Sequence, residues 1–96
     1  DEEFVDESVA TNLTGLARIR QGLDDLGLGY LPTHTNFLTF DLGRDAASVY
    51  EAMLREGVIV RPLAGYGMPN HLRTTIGTAD ENERFLAALG RVLGGQ

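Results

Sequence analysis

The chain has 96 residues, 43% of them hydrophobic, a formal net charge of −6 at pH 7 and no cysteine. This length suits one domain with a single small core, so residues 1–96 are expected to form one domain. The charge argues against a nucleic-acid partner, no apolar run reaches the roughly 20 residues that span a membrane, and the lack of cysteine excludes disulfides and fits the cytoplasm. All eight cations are arginines, so the chain has no lysine with which to form a Schiff base.

The first predicted element is a long amphipathic helix from about residue 3 to residue 26. Its apolar positions recur every three or four residues: Val5, Val9, Leu13, Leu16, Ile19, Leu23 and Leu26. Gly27 can end the helix, whereas Gly15 and Gly22 lie inside it, and each should cost about 1 kcal/mol relative to alanine. The apolar face is long for so small a core, so we expect part of it to face something outside this chain.

The remaining elements predict an α+β fold. In chain order they are strands at Gly29–Leu31 and Asn36–Leu42, a helix with Ala46, Val49, Tyr50, Met53 and Leu54 facing inward, strands at Val58–Val60 and Leu72–Ile76, and a helix with Phe85, Leu86, Leu89, Val92 and Leu93 facing inward. Asp45 can cap the second helix and Gly57 can end it, while Thr78 and Glu81 have the spacing of a capping box. The order α-β-β-α-β-β-α predicts a small, mostly antiparallel sheet with helices packed on it.

Two arginines mark the candidate site. Arg61 follows the predicted strand Val58–Val60, and Arg73 begins the next one. If these strands pair antiparallel, both guanidinium groups can reach a common anion, which an arginine fork binds through two parallel hydrogen bonds. The connecting loop contains Gly65 and Gly67, which permit tight turns, between two prolines. Surface ion pairing with some of the 14 acidic residues is the alternative role for these arginines.

The segment VIVRPLAGYGMPNHLRTTIGT, followed by ENERFLAAL, closely resembles the C-terminal part of histidinol-phosphate aminotransferases, which belong to the fold-type I family dependent on pyridoxal phosphate (PLP). Upstream, THTNFLTFDLGRDAASVYEAMLREG resembles the same family's Asn-Phe strand and the helix after it. The resemblance covers nearly the whole chain. It implies the small, C-terminal domain of such an enzyme, and the start at Asp1 rather than methionine fits a piece of a longer protein.

The resemblance also implies roles for individual residues. Arg73 matches the arginine that grips the acidic group of the substrate, which in these enzymes is the phosphate, and Arg61 matches an assisting arginine. Tyr66 can line the substrate entrance or simply pack. Asn36 matches a family asparagine expected to make hydrogen bonds at a turn or strand end.

Other polar side chains are weaker candidates. His71 can contact an anion, although a lone histidine is more often structural or exposed, and His34 lies in the segment before the second strand. Asp80, Glu81 and Glu83 indicate helix capping and a solvated surface rather than a metal site. We expect no catalytic, cofactor-binding or metal-binding residue in this chain.

The absence of lysine limits what this chain can do alone. In the family a lysine holds PLP, so the resemblance implies that a PLP-binding large domain of the same polypeptide performs the chemistry and that the isolated chain is inactive. The implied reaction converts histidinol phosphate and 2-oxoglutarate to imidazole acetol phosphate and glutamate in histidine biosynthesis, in a cytoplasmic homodimer. The alternatives are an aromatic amino acid as substrate, a decarboxylase acting on a phosphorylated amino acid, or a non-catalytic module for anion binding or oligomerisation.

Overall fold

The strands form an antiparallel sheet, and the helices pack on one of its two faces. The computed structural model describes the backbone of residues 2–33 and 36–94, and the side chains of these ranges from residue 13 onward. The elements are α1 (Glu2–Asp25), β1 (Gly29–Tyr30), β2 (Phe37–Asp41), α2 (Ala47–Arg55), β3 (Arg61–Pro62), a 3-10 helix (Ala64–Tyr66), β4 (His71–Thr75) and α3 (Ala79–Gly94). The α+β class is confirmed, and the order matches the prediction apart from the added 3-10 helix.

The sheet has one buried and one open face. Its strand order is β1-β2-β4-β3, and each neighbouring pair is antiparallel. Because side chains alternate along a strand, Leu38, Phe40 and Leu72 point into the core and are fully buried. Their neighbours form the open face and are exposed or half-buried: Phe37, Thr39, Asp41, His71, Arg73 and Thr75.

The helices cover the buried face with the apolar positions that the sequence predicts. The buried helical residues are Leu16, Ile19 and Leu23 from α1, Val49 and Met53 from α2, and Phe85, Leu86, Ala88, Leu89 and Val92 from α3. The rings of Phe40 and Phe85 meet edge to face, with centroids 5.6 Å apart. Sheet and helices therefore share one core.

The two glycines inside α1 allow it to approach α3 and the end of β4 closely. A Cβ added at Gly15 would lie 2.7 Å from the Asn82 amide nitrogen and 2.8 Å from an Ile76 methyl carbon. A Cβ at Gly22 would overlap the Leu86 side chain. The sequence indicates only the cost of these glycines in a helix, whereas the structure gives the reason for them.

We expect Gly22→Ala to lower the free energy of unfolding by about 1–2 kcal/mol, because overlap with Leu86 outweighs the gain in helix propensity. Gly90 is the matched control, since it is also helical but a Cβ there would meet its nearest neighbour, Leu26, at 4.0 Å. Gly90→Ala should raise stability by up to about 1 kcal/mol. Urea unfolding of the two variants checks this, and equal effects of the two changes would contradict it.

The predicted capping box of α3 and the glycine ends of α1 and α2 are confirmed, while the N-cap position of α2 is Ala46 rather than Asp45. The Glu81 carboxylate accepts the Thr78 N–H at 2.9 Å, and the Thr78 hydroxyl accepts the Glu81 N–H at 3.2 Å. This capping box lowers the pKa of Glu81, chiefly through the bond from the backbone N–H. Asp45 accepts the Ala47 N–H at 2.9 Å at the start of α2. Gly27 and Gly57 end α1 and α2 with φ of 75° and 81°.

Several predicted details are wrong. The strand expected at Val58–Val60 lies later in the chain, at Arg61–Pro62, where these two residues pair with β4. The preceding residues keep a strand-like alternation, with Val60 buried and Ile59 84% exposed. Leu54 does not face the core, since it is 42% exposed at the end of α2. The side chains of Val5 and Val9 lie outside the described residues. Leu13, next on that face, is 59% exposed, which agrees with the expectation that this chain does not cover the whole apolar face of α1.

Candidate functional site

The two arginines singled out by the sequence lie side by side on the open face. β3 and β4 pair antiparallel, as predicted, with Arg61 directly opposite Arg73. Residues directly opposite each other in an antiparallel pair project from the same face of the sheet. Two guanidinium side chains therefore leave the same face from neighbouring strands.

These side chains line an open groove of about 510 Å³, which we call the arginine groove. Its lining residues are Phe37, Tyr50, Ile59, Val60, Arg61, Pro62, Tyr66, Arg73 and Thr75. The wall is aromatic and aliphatic except for the arginines, the tyrosine hydroxyls and one threonine. Such a groove can hold a ligand with an acidic group at one end and a flat or apolar body.

Among the described residues, neither groove arginine forms an ion pair with a carboxylate. The arginines that do so in this part of the chain are Arg18, with Glu83, and Arg91, with Glu56. The Arg18 bond lowers the pKa of Glu83. Arg73 instead lies over the ring of Phe37, with its guanidinium carbon 4.5 Å from the ring centroid. The groove thus holds positive charge that is available to an external anion.

The loop between β3 and β4 is fixed by backbone hydrogen bonds. Its internal bonds run from the N–H groups of Tyr66 and Met68 to the carbonyl of Leu63 (2.9 and 3.1 Å), and from the N–H of Gly67 to the carbonyl of Ala64 (3.0 Å). The carbonyls of Pro69 and Asn70 accept N–H bonds from Ala46 and Leu42, both at 2.9 Å. Gly67 has a φ of 77°, whereas Gly65, expected to play a similar part, lies within the 3-10 helix. The loop places Tyr66, 77% exposed, at the groove.

The weaker candidates lie away from the arginine groove or at its border. His71 shares the open face, with Nε2 3.8 Å from an Asp41 carboxylate oxygen, and lines a separate cavity of about 150 Å³ beside α2. Its Nδ1 is buried and has no hydrogen-bond partner among the described residues. The Asn36 carbonyl accepts the Ile76 N–H at 2.7 Å, a bond at the strand end. His34 lies outside the described residues.

Six groove residues went unrecognised as site residues in the sequence: Phe37, Tyr50, Ile59, Val60, Pro62 and Thr75. Phe37 and Thr75 are opposite each other on β2 and β4, and their place in the strand alternation puts them on the same face as Arg73. That alternation could have pointed to them, whereas Tyr50 reaches the groove from a helix and needs the tertiary structure.

Two further features, metal-binding clusters and membrane-spanning helices, concern the parts of the chain that the structure describes. Residues 2–33 and 36–94 hold no group of three or more side chains that could bind a metal ion. No helix in these ranges has the length and apolar character required to cross a membrane.

The fold and groove define a class of protein: an α+β domain with an arginine-lined, uncovered sheet face. Residues 1–89 match the model of the family "Aminotransferase class I and II". The chain belongs to this family.

One curated relative and two solved structures show which members of this family the chain is similar to. It is 53% identical over 93 residues to histidinol-phosphate aminotransferase 2 of Pseudomonas aeruginosa, a match that covers 97% of this chain and 25% of that protein. The histidinol-phosphate aminotransferase of Sinorhizobium meliloti, solved in complex with pyridoxal-5'-phosphate, matches with a TM-score of 0.86 and 25% identity over 99% of this chain and 27% of that one. The enzyme of the same name from Clostridium acetobutylicum shares the fold, with a TM-score of 0.90 and 22% identity over 100% of this chain and 30% of that one. The chain therefore spans about a quarter of the length of the curated relatives it matches.

Proposed function

We propose that this chain is the C-terminal, substrate-gripping domain of a histidinol-phosphate aminotransferase. The whole enzyme would convert histidinol phosphate and 2-oxoglutarate to imidazole acetol phosphate and glutamate, as a cytoplasmic homodimer. The observation that carries the proposal is the opposed pair Arg61 and Arg73 on an open face, in a chain about half identical to relatives of that name.

The arginines of this domain would hold the phosphate of the substrate. Arg73 would bind it through its planar fork of N–H donors, Arg61 would add a second cation from the neighbouring strand, and Tyr66 would line the entrance. Holding the acidic end fixes the position of the amine at the other end of the substrate, which contributes to catalysis through orientation. The carboxylate of 2-oxoglutarate can use the same donors in its turn.

The cofactor of the whole enzyme would be PLP, which supplies the electron sink for transamination when it is bound. The residues of this chain do not fit its covalent attachment, because none of the 96 residues is lysine. Attachment of PLP and transfer of the substrate proton would therefore belong to a PLP-binding large domain of the same polypeptide. The 96-residue chain alone should show no turnover.

The test compares histidinol phosphate with histidinol, which differs only in lacking the phosphate, as amine donors for the full-length enzyme. We expect kcat/KM for histidinol to be at least about 100-fold lower, since a site built around a polar group strongly rejects an analogue without it. Equal rates with the two donors would contradict the proposal. Preference for phenylalanine would favour the aromatic alternative, and release of CO2 from a phosphorylated amino acid would favour a decarboxylase.

A further inference from the structure

The contact between Phe37 and Arg73 bears on where the Arg73 guanidinium lies in the arginine groove. Arg73 lies on β4, directly between Thr39 of β2 and Arg61 of β3. Like charges directly opposite each other repel, so Arg61 pushes the Arg73 guanidinium toward the β2 side.

On that side Arg73 has two diagonal neighbours on the open face, Phe37 and Asp41. The guanidinium lies over Phe37, 4.5 Å from the ring centroid. Asp41 has other partners, because it accepts the Gly43 N–H at 2.8 Å and approaches His71 at 3.8 Å. A swing of Arg73 to Asp41 would neutralise its charge and remove it from the groove.

When a ring and a guanidinium lie face to face, the aromatic contact leaves the N–H edge of the arginine free. A ring attracts a cation through its face, while hydrogen bonds to an oxyanion leave the guanidinium in its own plane. Phe37 can thus hold one face of the guanidinium without occupying the N–H fork. A carboxylate in the same place would occupy that fork.

We propose that Phe37 is a positioning residue, which holds the Arg73 guanidinium in the arginine groove and away from Asp41 so that its N–H edge can bind the acidic group of a ligand. The inference rests on the proposed function for its purpose, and the contact itself can be tested without any ligand. Phe37 is 38% exposed, so its replacement leaves the core in place.

The first measurement is the NMR shift of the Arg73 side-chain Hε in the 96-residue chain without ligand. A proton held over the face of a ring is shielded, so Phe37→Leu and Phe37→Met should move this resonance downfield while Phe37→Tyr leaves it nearly in place. An unchanged shift in both non-aromatic variants would overturn the inference whatever the chain binds.

The second measurement is the dissociation constant for inorganic phosphate, taken from the same resonances. Phe37→Leu should weaken binding roughly two- to five-fold, the range for a cation–π contact at a partly exposed site. The added change Asp41→Asn should recover part of the loss, because it removes the competing carboxylate.

The variant Arg73→Ala separates the positioning role of Phe37 from the proposed anion-binding function of Arg73. If Phe37 acts through Arg73, Phe37→Leu has no further effect on phosphate binding in the Arg73→Ala background. An equal loss in both backgrounds would overturn the positioning role. If Arg73→Ala itself leaves phosphate binding unchanged, the proposed function fails. The NMR shift of the Arg73 Hε proton in the Phe37 variants then still shows whether Phe37 holds the guanidinium.

Discussion

Replacing Arg73 with alanine in the full-length enzyme should lower kcat/KM for histidinol phosphate by at least about 100-fold, since hydrogen bonds to charged groups are worth about 1.5–3 kcal/mol each and this fork can make two. Arg61→Ala should cost less, about 10-fold, because Arg61 is exposed and no ring of the described residues lies against it, whereas Arg73 is half-buried over Phe37. Steady-state kinetics at saturating 2-oxoglutarate measures both effects. The KM for 2-oxoglutarate should also rise, since under the proposed function its carboxylate uses the same arginines.

Two controls make the Arg73 result specific. Arg55→Ala removes an exposed arginine of α2 that does not line the groove, and it should leave kcat/KM within about two-fold. Histidinol has no phosphate, so Arg73→Ala should change its turnover far less than that of histidinol phosphate. Equal losses with the two donors would mean that Arg73 supports the fold or the active site in general.

The largest effect on stability is expected at Asn82, where alanine should lower the free energy of unfolding by about 2–3 kcal/mol. Asn82 is 2% exposed, and its side-chain amide bonds to both backbone groups of Gly77: its oxygen accepts the N–H at 2.9 Å and its nitrogen donates to the carbonyl at 3.1 Å. Alanine would leave these two groups without partners between β4 and α3. Urea unfolding followed by circular dichroism measures the change.

Asn36→Ala is the matched control, because it makes the same chemical change at an exposed side chain. It should alter stability by less than about 0.5 kcal/mol. If the two alanine variants unfold at the same urea concentration, the Asn82 bonds contribute nothing measurable to the fold.

The parts of the fold that the sequence predicts well depend on near neighbours in the chain. The capping box of Thr78 and Glu81 and the glycine ends of α1 and α2 involve residues a few positions apart, so their spacing is enough to recognise them. The apolar periodicity of α3 likewise identifies its buried side.

The parts of the fold that the sequence leaves unexplained depend on contacts between distant segments. Gly15 and Gly22 are unfavourable in an isolated helix, and only their contacts with Ile76, Asn82 and Leu86 explain them. The sequence assigns no role to Asn82, and only its bonds to Gly77 reveal one.

The candidate site likewise has a part that the sequence predicts and a part that needs the tertiary structure. The positions of Arg61 and Arg73 at adjoining strand ends predict that they share a face, and the register of β3 and β4 places them opposite each other. Strand alternation groups Phe37 with Arg73, but whether their face can form a groove depends on which face of the sheet the helices leave uncovered. Strand alternation gives two faces and does not by itself say which one is open.

A crystal structure of the full-length enzyme with histidinol phosphate bound would test the proposed role of the arginine groove directly. We predict that phosphate oxygens lie within hydrogen-bond distance, about 2.7–2.9 Å, of the guanidinium nitrogens of Arg73, with Arg61 beside them. A phosphate bound outside the arginine groove, with both guanidinium groups in contact with protein carboxylates instead, would contradict it.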